Sequence, residues 1–419
     1  MADYKKMWED LNMDIEKHDI LCAALPEQFG DTYLTQENRP EAMNYFNYVV
    51  AEVHGARIME LEEYKKQGGN VVGTFCVFVP DEVIIATKAI GVGLCSGSQF
   101  WIEDGEKVLP RNLCPLVKAF AGAKIGLTCP YFQSCDMIVG ETTCDAKKKA
   151  WEIMDEYMPV HVMELPQMKR EKNFKEWEDE IKLFIKRMEE LTGNKVTVEN
   201  LKKGIDVCNR KRRALKRLYD LRKNTPSPIS GLDALLVSQI AFSDDPERFI
   251  EKTEELCDEL EERVKELKPN GKKRILVTGT PMALPNWKLH SIVESLNAEI
   301  VVEETCTGTR YFENEVSAEG DTIDELVKNM AQRYMDINCA CFTPNDGRAD
   351  DIIRYAKEYN IDGVISCNLS FCHTYAIEHE KVAKALKEND IPVLLIETDY
   401  SEEDTGQMKT RIEAFLEMI

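Results

Sequence analysis

Two stretches decide the fold: VVGTFCVFVPDEV, residues 71–83, and RILVTGTPMALPN, residues 274–286. Each is a short apolar run that reads as a buried strand ending near a proline. Its continuous rather than alternating apolar character is that of a parallel strand covered on both faces. Working outward, the same series follows each one. AIGVGLC, ending at Cys95, corresponds to EIVVEETC, ending at Cys306. DMIVGETTC, ending at Cys144, corresponds to DGVISCNLSFC, ending at Cys372, and VHVMELPQ corresponds to IPVLLIETD. Strands alternating with helical stretches imply parallel β-α-β units. The expectation is an α/β chain with two doubly wound, flavodoxin-like parallel-sheet domains related by an internal repeat, plus an additional helical region.

Residues 1–66 read as helical, with one helix starting at Pro40 and running through AMNYFNYVVAEVHGARIMELEEY until Gly68-Gly69 stops it. From Met168 to Leu267 the pattern is of long, charge-rich helices, interrupted at TPSPISG near Pro226 and Pro228. The basic cluster Arg210 to Arg217 reads as a solvated helix face. The expected divisions are 1–167 for the amino-terminal helices and first α/β domain, 168–268 for the helical connection, and 269–419 for the second α/β domain.

At 419 residues the chain exceeds one ordinary core. Its net charge of −22 argues against nucleic acid and anionic lipid as partners. No apolar run approaches the ~20 residues of a membrane span, and the opening MADYKKMWEDLNMDIEKHDIL has no signal-peptide core. The reading is a cytoplasmic protein with no membrane association. Disulfides are not expected in that compartment, so the 14 cysteines must be metal ligands, reactive thiols or core residues.

The repeat organises those cysteines. Cys114, in LPRNLCPLVKAF, and Cys339 and Cys341, in RYMDINCACFTP, fall between the outer pairs. Cys95, Cys114 and Cys144 are spaced by 19 and 30 residues, and Cys306, Cys339 and Cys372 by 33 and 33. Each outer cysteine follows the carboxyl end of a strand, the edge where open α/β sheets bind ligands. A thiol near a helix N-terminus also ionises more easily. Three cysteines from each domain therefore converge on one interdomain cleft as metal ligands, with Cys129 in reserve for Cys114 and Cys341 for Cys339. Cys22, Cys76, Cys208 and Cys257 read as core or helix-face packing, and Cys367 as strand core.

The zinc-ribbon CxxC pair and the ferredoxin C-x2-C-x2-C run are both missing. All-thiolate ligation from dispersed loops fits an iron–sulfur cluster: three thiolates hold one cubane, six hold two. With no phosphate loop and no G-x-G-x-x-G fingerprint, ATP hydrolysis and NAD binding by this chain are not expected. His373, directly after Cys372, is the candidate proton donor. Glu141, Thr142, Thr143 and Asp145 surround Cys144 as candidate hydrogen-bond partners of its sulfur.

The stretches GTFCVFVPDE, LPRNLCPLVKAF, CPYFQSCDMIVGETTCDAKKK, EETCTGTRYF, DGVISCNLSFCHTY and IETDYSEEDTGQMKTRIEAFLE resemble the 2-hydroxyacyl-CoA dehydratase D-component family, which includes benzoyl-CoA reductase subunits. Within it they look most like the double-cubane cluster proteins. Ala146 departs from the glycine the family often has there. The resemblance implies that Cys114, Cys144 and Cys372 take the positions that hold one [4Fe-4S] cluster. Cys95, Cys306 and Cys339 then complete six thiolates for two [4Fe-4S] cubanes bridged by sulfide, an [8Fe-9S] double-cubane cluster. It also implies a homodimer fed by a separate ATP-hydrolysing dimeric [4Fe-4S] reductase. The expected activity is that of an iron–sulfur oxidoreductase that reduces a small molecule. The alternatives are a [4Fe-4S] subunit of a 2-hydroxyacyl-CoA dehydratase or aryl-CoA reductase, and a non-catalytic cluster carrier.

Overall fold

In the computed structural model, which describes residues 4–419, eight strands form two sheets. β1 (Val71–Thr74), β2 (Ile90–Gly93), β3 (Met137–Glu141) and β4 (Val160–Met163) lie in the order β2-β1-β3-β4. β5 (Lys273–Gly279), β6 (Ala298–Glu304), β7 (Gly363–Leu369) and β8 (Val393–Thr398) lie in the order β6-β5-β7-β8. Every pairing is parallel. The two orders are the same order, so the sequence repeat is a repeat of architecture: two parallel-sheet α/β units, as expected.

The strands are apolar through their middles because both faces are covered. β1, β3, β5, β6 and β7 are buried almost throughout. One face of the first sheet packs an aromatic layer, with Trp151 against Phe75 and stacked on Phe120, ring centroids 4.9 and 5.0 Å apart. On its other face β1 and β3 join a larger core. That core runs through Leu201, Ile205 and Leu215 of the helix Val198–Leu221 to Ile300 and Val302 of β6. The helices Glu171–Thr192, Val198–Leu221, Gly231–Ile240 and Pro246–Val264 make up the segment between the sheets, as the charge-rich periodicity predicts. None of the described helices is long and apolar enough to cross a membrane.

Two expectations need correction. The long helix expected from Pro40 begins at Met43 and is broken into Met43–Ala51 and Ala56–Lys66. At the break Gly55 takes a non-helical conformation, and a Cβ there would sit 2.4 Å from the Tyr4 ring. Residues 52–55 turn instead, and Trp8 Nε1 donates to the His54 carbonyl at 2.7 Å. The basic cluster is only partly a solvated face. Arg210 and Arg213 point outward, but Arg212 is 3% exposed and pairs with the fully buried Glu82 at 2.7 Å. Its guanidinium is part of the join between the helical segment and the first sheet.

The two halves meet along the carboxyl ends of their strands. Gly97 N–H donates to the Leu284 carbonyl at 2.9 Å, and a Cβ at Gly97 would lie 2.2 Å from the Ala283 oxygen. Only glycine permits that approach. Thr343 N–H donates to the Gln167 carbonyl at 2.9 Å on another part of the seam. These backbone bonds fix the edges of one sheet against the other and enclose the space between them.

Candidate metal centre

That space is a cavity of ≈ 210 Å³. All six cysteines singled out by the repeat line it: Cys95, Cys114 and Cys144 from one half, Cys306, Cys339 and Cys372 from the other. The local structure explains why they meet. Cys95 and Cys306 each follow by two residues the last residue of their strand, β2 and β6. Cys144 and Cys372 each lie three residues past β3 and β7 and immediately precede the helices Asp145–Met154 and His373–Glu388. Cys114 precedes the helix Pro115–Ile125, whose first position is the proline favoured there.

Three further thiols line the same wall. Cys129 and Cys341, the reserve candidates, are both present. Cys76, read from the sequence as packing, is the third. No sequence signal separates it, because β1 is shorter than its apolar run. The apolar run continues to Val79, but the strand ends at Thr74, which leaves Cys76 just past a carboxyl end like the others.

His373 is not brought in. It is exposed at the first turn of its helix and lies outside the cavity lining. Two hydroxyls do reach the thiols: Thr374 Oγ1 lies 3.8 Å from Cys372 Sγ, and Tyr375 Oη lies 3.4 Å from Cys339 Sγ and accepts from Arg310. Arg310 Nη1 in turn lies 3.7 Å from Cys306 Sγ, and its Nη2 donates to Glu304 at 2.9 Å. Across the cavity Lys147, paired with the buried Glu141, is the lining cation. Glu141 also accepts from the Thr143 hydroxyl at 3.2 Å, while Asp145 is exposed and bound to Lys148.

The electrostatics of the thiols follow from burial. Burial pushes Cys95 up to about 12 and Cys306 up to about 11, with Arg310 opposing the rise at Cys306. Cys76 is raised well above its ordinary value by burial, and the charges of Glu141, Cys306 and Cys339 add to it. Two thiols go the other way. The hydrogen bond from Cys341, helped by Arg310 and Tyr375, holds Cys339 down to about 6 against its burial. The hydrogen bond from Cys114, helped by the backbone at Tyr375, holds Cys372 down to about 7. Burial lowers the Lys147 ammonium, but Glu141, Cys76 and Cys95 outweigh it and keep the group charged.

These influences link the thiols in one connected series. Cys114 and Cys144 each act with Cys372, Cys372 also feels Cys339, and Cys76, Cys306, Cys339 and Cys341 act on one another. Cys95 senses Cys306 while its Sγ donates to the Phe75 carbonyl at 2.9 Å. No three cysteines among the described residues come within 4.8 Å of one another. A single tetrahedral ion with 2.3 Å thiolate bonds needs ligands about 3.8 Å apart. The cavity therefore suits a larger body with soft, thiolate-seeking metal. Its lining contains no carboxylate, and the remaining walls are largely apolar, including Leu94, Leu116, Val117, Phe242 and Leu369. That donor chemistry fits an iron–sulfur cluster.

Known proteins share this chain's sequence over most of its length. It is 38% identical over 377 residues to a putative dehydratase subunit, YjiM, of Escherichia coli K12, a match covering 88% of this chain and 96% of that one. It is 25% identical over 382 residues to the (R)-phenyllactyl-CoA dehydratase beta subunit of Clostridium sporogenes, covering 90% and 98%. It is 24% identical over 352 residues to a subunit of the benzoyl-CoA reductase of Thauera aromatica, covering 81% and 87%. The relatives are thus subunits of dehydratases and of a reductase. Residues 76–419, which contain both sheets apart from β1 and every thiol on the cavity wall, match the family model described as 2-hydroxyglutaryl-CoA dehydratase, D-component, and the chain belongs to that family.

Proposed function

We propose that this protein is an iron–sulfur oxidoreductase whose interdomain cavity holds a double-cubane [8Fe-9S] cluster and reduces a small molecule. The observation that carries the reading is the convergence of nine thiols from both halves, more than one cubane can use, on one cavity without carboxylates. We assign Cys114, Cys144 and Cys372 to one cubane and Cys306 and Cys339 to the other, with Cys76 as its third ligand. Sequence spacing puts Cys95 in that third place. Cys76 is preferred because both Cys306 and Cys339 act on it, whereas of these two only Cys306 acts on Cys95, whose thiol donates to the Phe75 carbonyl. When bound, such a cluster supplies electrons at low potential.

The chain's own groups have definable tasks. Lys147 and Arg310 offset the negative charge that six thiolates would bring into a buried space. The apolar walls exclude water and strengthen those interactions. Burial raises the Tyr375 hydroxyl well above its ordinary value, so it keeps its proton and holds it at Oη beside Cys339. Tyr375 rather than His373 is then the proton donor nearest the thiols.

Electrons come, on this reading, from a separate ATP-hydrolysing iron–sulfur reductase, and the chain acts as a homodimer. Full turnover should need that partner, ATP and a strong reductant, with no ATP hydrolysis by this chain alone. A second reading, a one-cubane subunit acting on a CoA thioester, is favoured by the CoA-ester names of the relatives. Adding a panel of acyl-CoA esters to the reduced protein and following its EPR signal and products separates the two. No stoichiometric shift is expected. A shift with one ester, followed by dehydration or ring reduction, overturns the first reading in favour of the second.

A further inference from the structure

A second convergence of donor atoms lies in the amino-terminal helices, before residue 76, where the family match begins. His18 and Cys22 are one turn apart on the helix Ile15–Phe29 and so share a face. His54 comes from the turn at residues 52–55. His18 Nε2 lies 3.0 Å from His54 Nδ1 and 3.4 Å from Cys22 Sγ. One donor atom from each of the three lies within 4.8 Å of the other two, and among the described residues no other three His, Cys, Asp or Glu side chains meet in this way.

Hydrogen bonding alone cannot make both short contacts at once. The two short contacts share one atom, His18 Nε2. A neutral imidazole nitrogen carries either a proton or a lone pair. With a proton, Nε2 can donate to His54 Nδ1 but cannot accept from the Cys22 thiol. With a lone pair, it has one acceptor direction for two donors. The only other imidazole contact of the thiol, His18 Nδ1, is at 3.8 Å. A cation placed between the three atoms satisfies all of them at once. Zinc bonds of about 2.0 Å to nitrogen and 2.3 Å to sulfur give tetrahedral edges of about 3.3 Å between nitrogens and about 3.5 Å between nitrogen and sulfur. The observed 3.0 and 3.4 Å are within a few tenths of an ångström of those edges.

The group is also built rather than incidental. His18 is fully buried and His54 nearly so, while Cys22 is partly exposed and leaves a way in from outside. The His18 ring is held edge-on by Trp8 with centroids 4.3 Å apart, and the same indole donates to the His54 carbonyl. The helix break that presents His54 depends on Gly55, whose missing Cβ makes room for Tyr4. His54 also forms part of the cavity wall.

We infer that His18, Cys22 and His54 form a mononuclear zinc site, distinct from the cavity thiols, that ties the amino-terminal helices to the cavity wall. Binding replaces the Cys22 thiol proton, which leaves to solvent, and the fourth position on the ion is open to water. The proposal does not depend on the identity of the cluster. The test is metal analysis of the anaerobically purified full chain after exposure to zinc and removal of unbound metal, with zinc K-edge absorption on the same sample. One zinc per chain with a shell of two imidazole nitrogens and one sulfur is expected. Cys22→Ser and His18→Gln should each lose that zinc while iron content and circular dichroism stay unchanged. An all-sulfur shell would place the zinc among the cavity thiols and overturn the site. So would the absence of retained zinc, or equal uptake by the wild type and well-folded variants. If a variant fails to fold, the wild-type shell still decides.

Discussion

Cys76 and Cys95 sit two residues past neighbouring strands, yet their surroundings differ enough to separate them in an experiment. Cys76→Ala should lose about half of the bound iron, one cubane of two. Cys95→Ala should keep most of it, because that thiol is spent on the Phe75 carbonyl. Iron analysis of the two variants decides, and the reverse order would restore the assignment by spacing. The same pair shows what was legible at this scale. Cys114, Cys144, Cys306, Cys339 and Cys372 stand out because each follows a strand or precedes a helix at a repeated position. Cys76 does not, because VVGTFCVFVP reads as one strand and nothing in apolarity alone marks its end at Thr74. Nor could the sequence show that His373 faces solvent while Tyr375, two residues on, faces the thiols. A third residue carries a pH prediction. Burial raises the Glu303 carboxyl, but Arg222 and His290 outweigh it and hold it down to about 2. A depressed carboxyl stabilises the fold fully above its unfolded value of about 4.3 and loses that contribution as pH falls toward the folded value, about 3 kcal/mol in all. The melting-temperature gap between wild type and Glu303→Gln should therefore be widest at neutral pH and narrow below about pH 4.5. A gap constant across that range would contradict the assignment.

Among elements, the short helix Asp81–Ala86 after β1 is tied to the long helix Val198–Leu221 by one buried ion pair. Arg212 donates to Glu82 at 2.7 Å and Tyr334 Oη donates to the other carboxylate oxygen at 2.7 Å. Removing one partner strands a buried charge, which costs about 3–5 kcal/mol. Glu82→Ala should lower the melting temperature sharply. Adding Arg212→Met should recover part of the loss, since the orphaned guanidinium is then gone. A double variant no more stable than Glu82→Ala would show that the pair is not the source. Strands were the elements best read from sequence, because parallel strands covered on both faces keep a largely apolar centre. Helix ends were read less well. The break at residues 52–55 depends on the contact between Gly55 and the Tyr4 ring, which is distant in sequence and invisible to periodicity. The burial of Arg212 escaped for the same reason: its partner lies 130 residues away.

For the whole molecule, the repeat is the organising fact. Two sheets with one strand order meet at their carboxyl edges, so loops that are equivalent in the two halves face each other across a single cavity. Duplication of one cysteine-bearing layout is what allows two sets of thiols in one chain. The central claim is that both sets are used by one double cluster, and the most direct measurement is iron and acid-labile sulfide per chain in anaerobically purified protein. The account predicts about eight irons and about nine sulfides, falling together when a cysteine of either set is removed. About four irons per chain, unaffected by Cys306→Ala but abolished by Cys114→Ala, would contradict it.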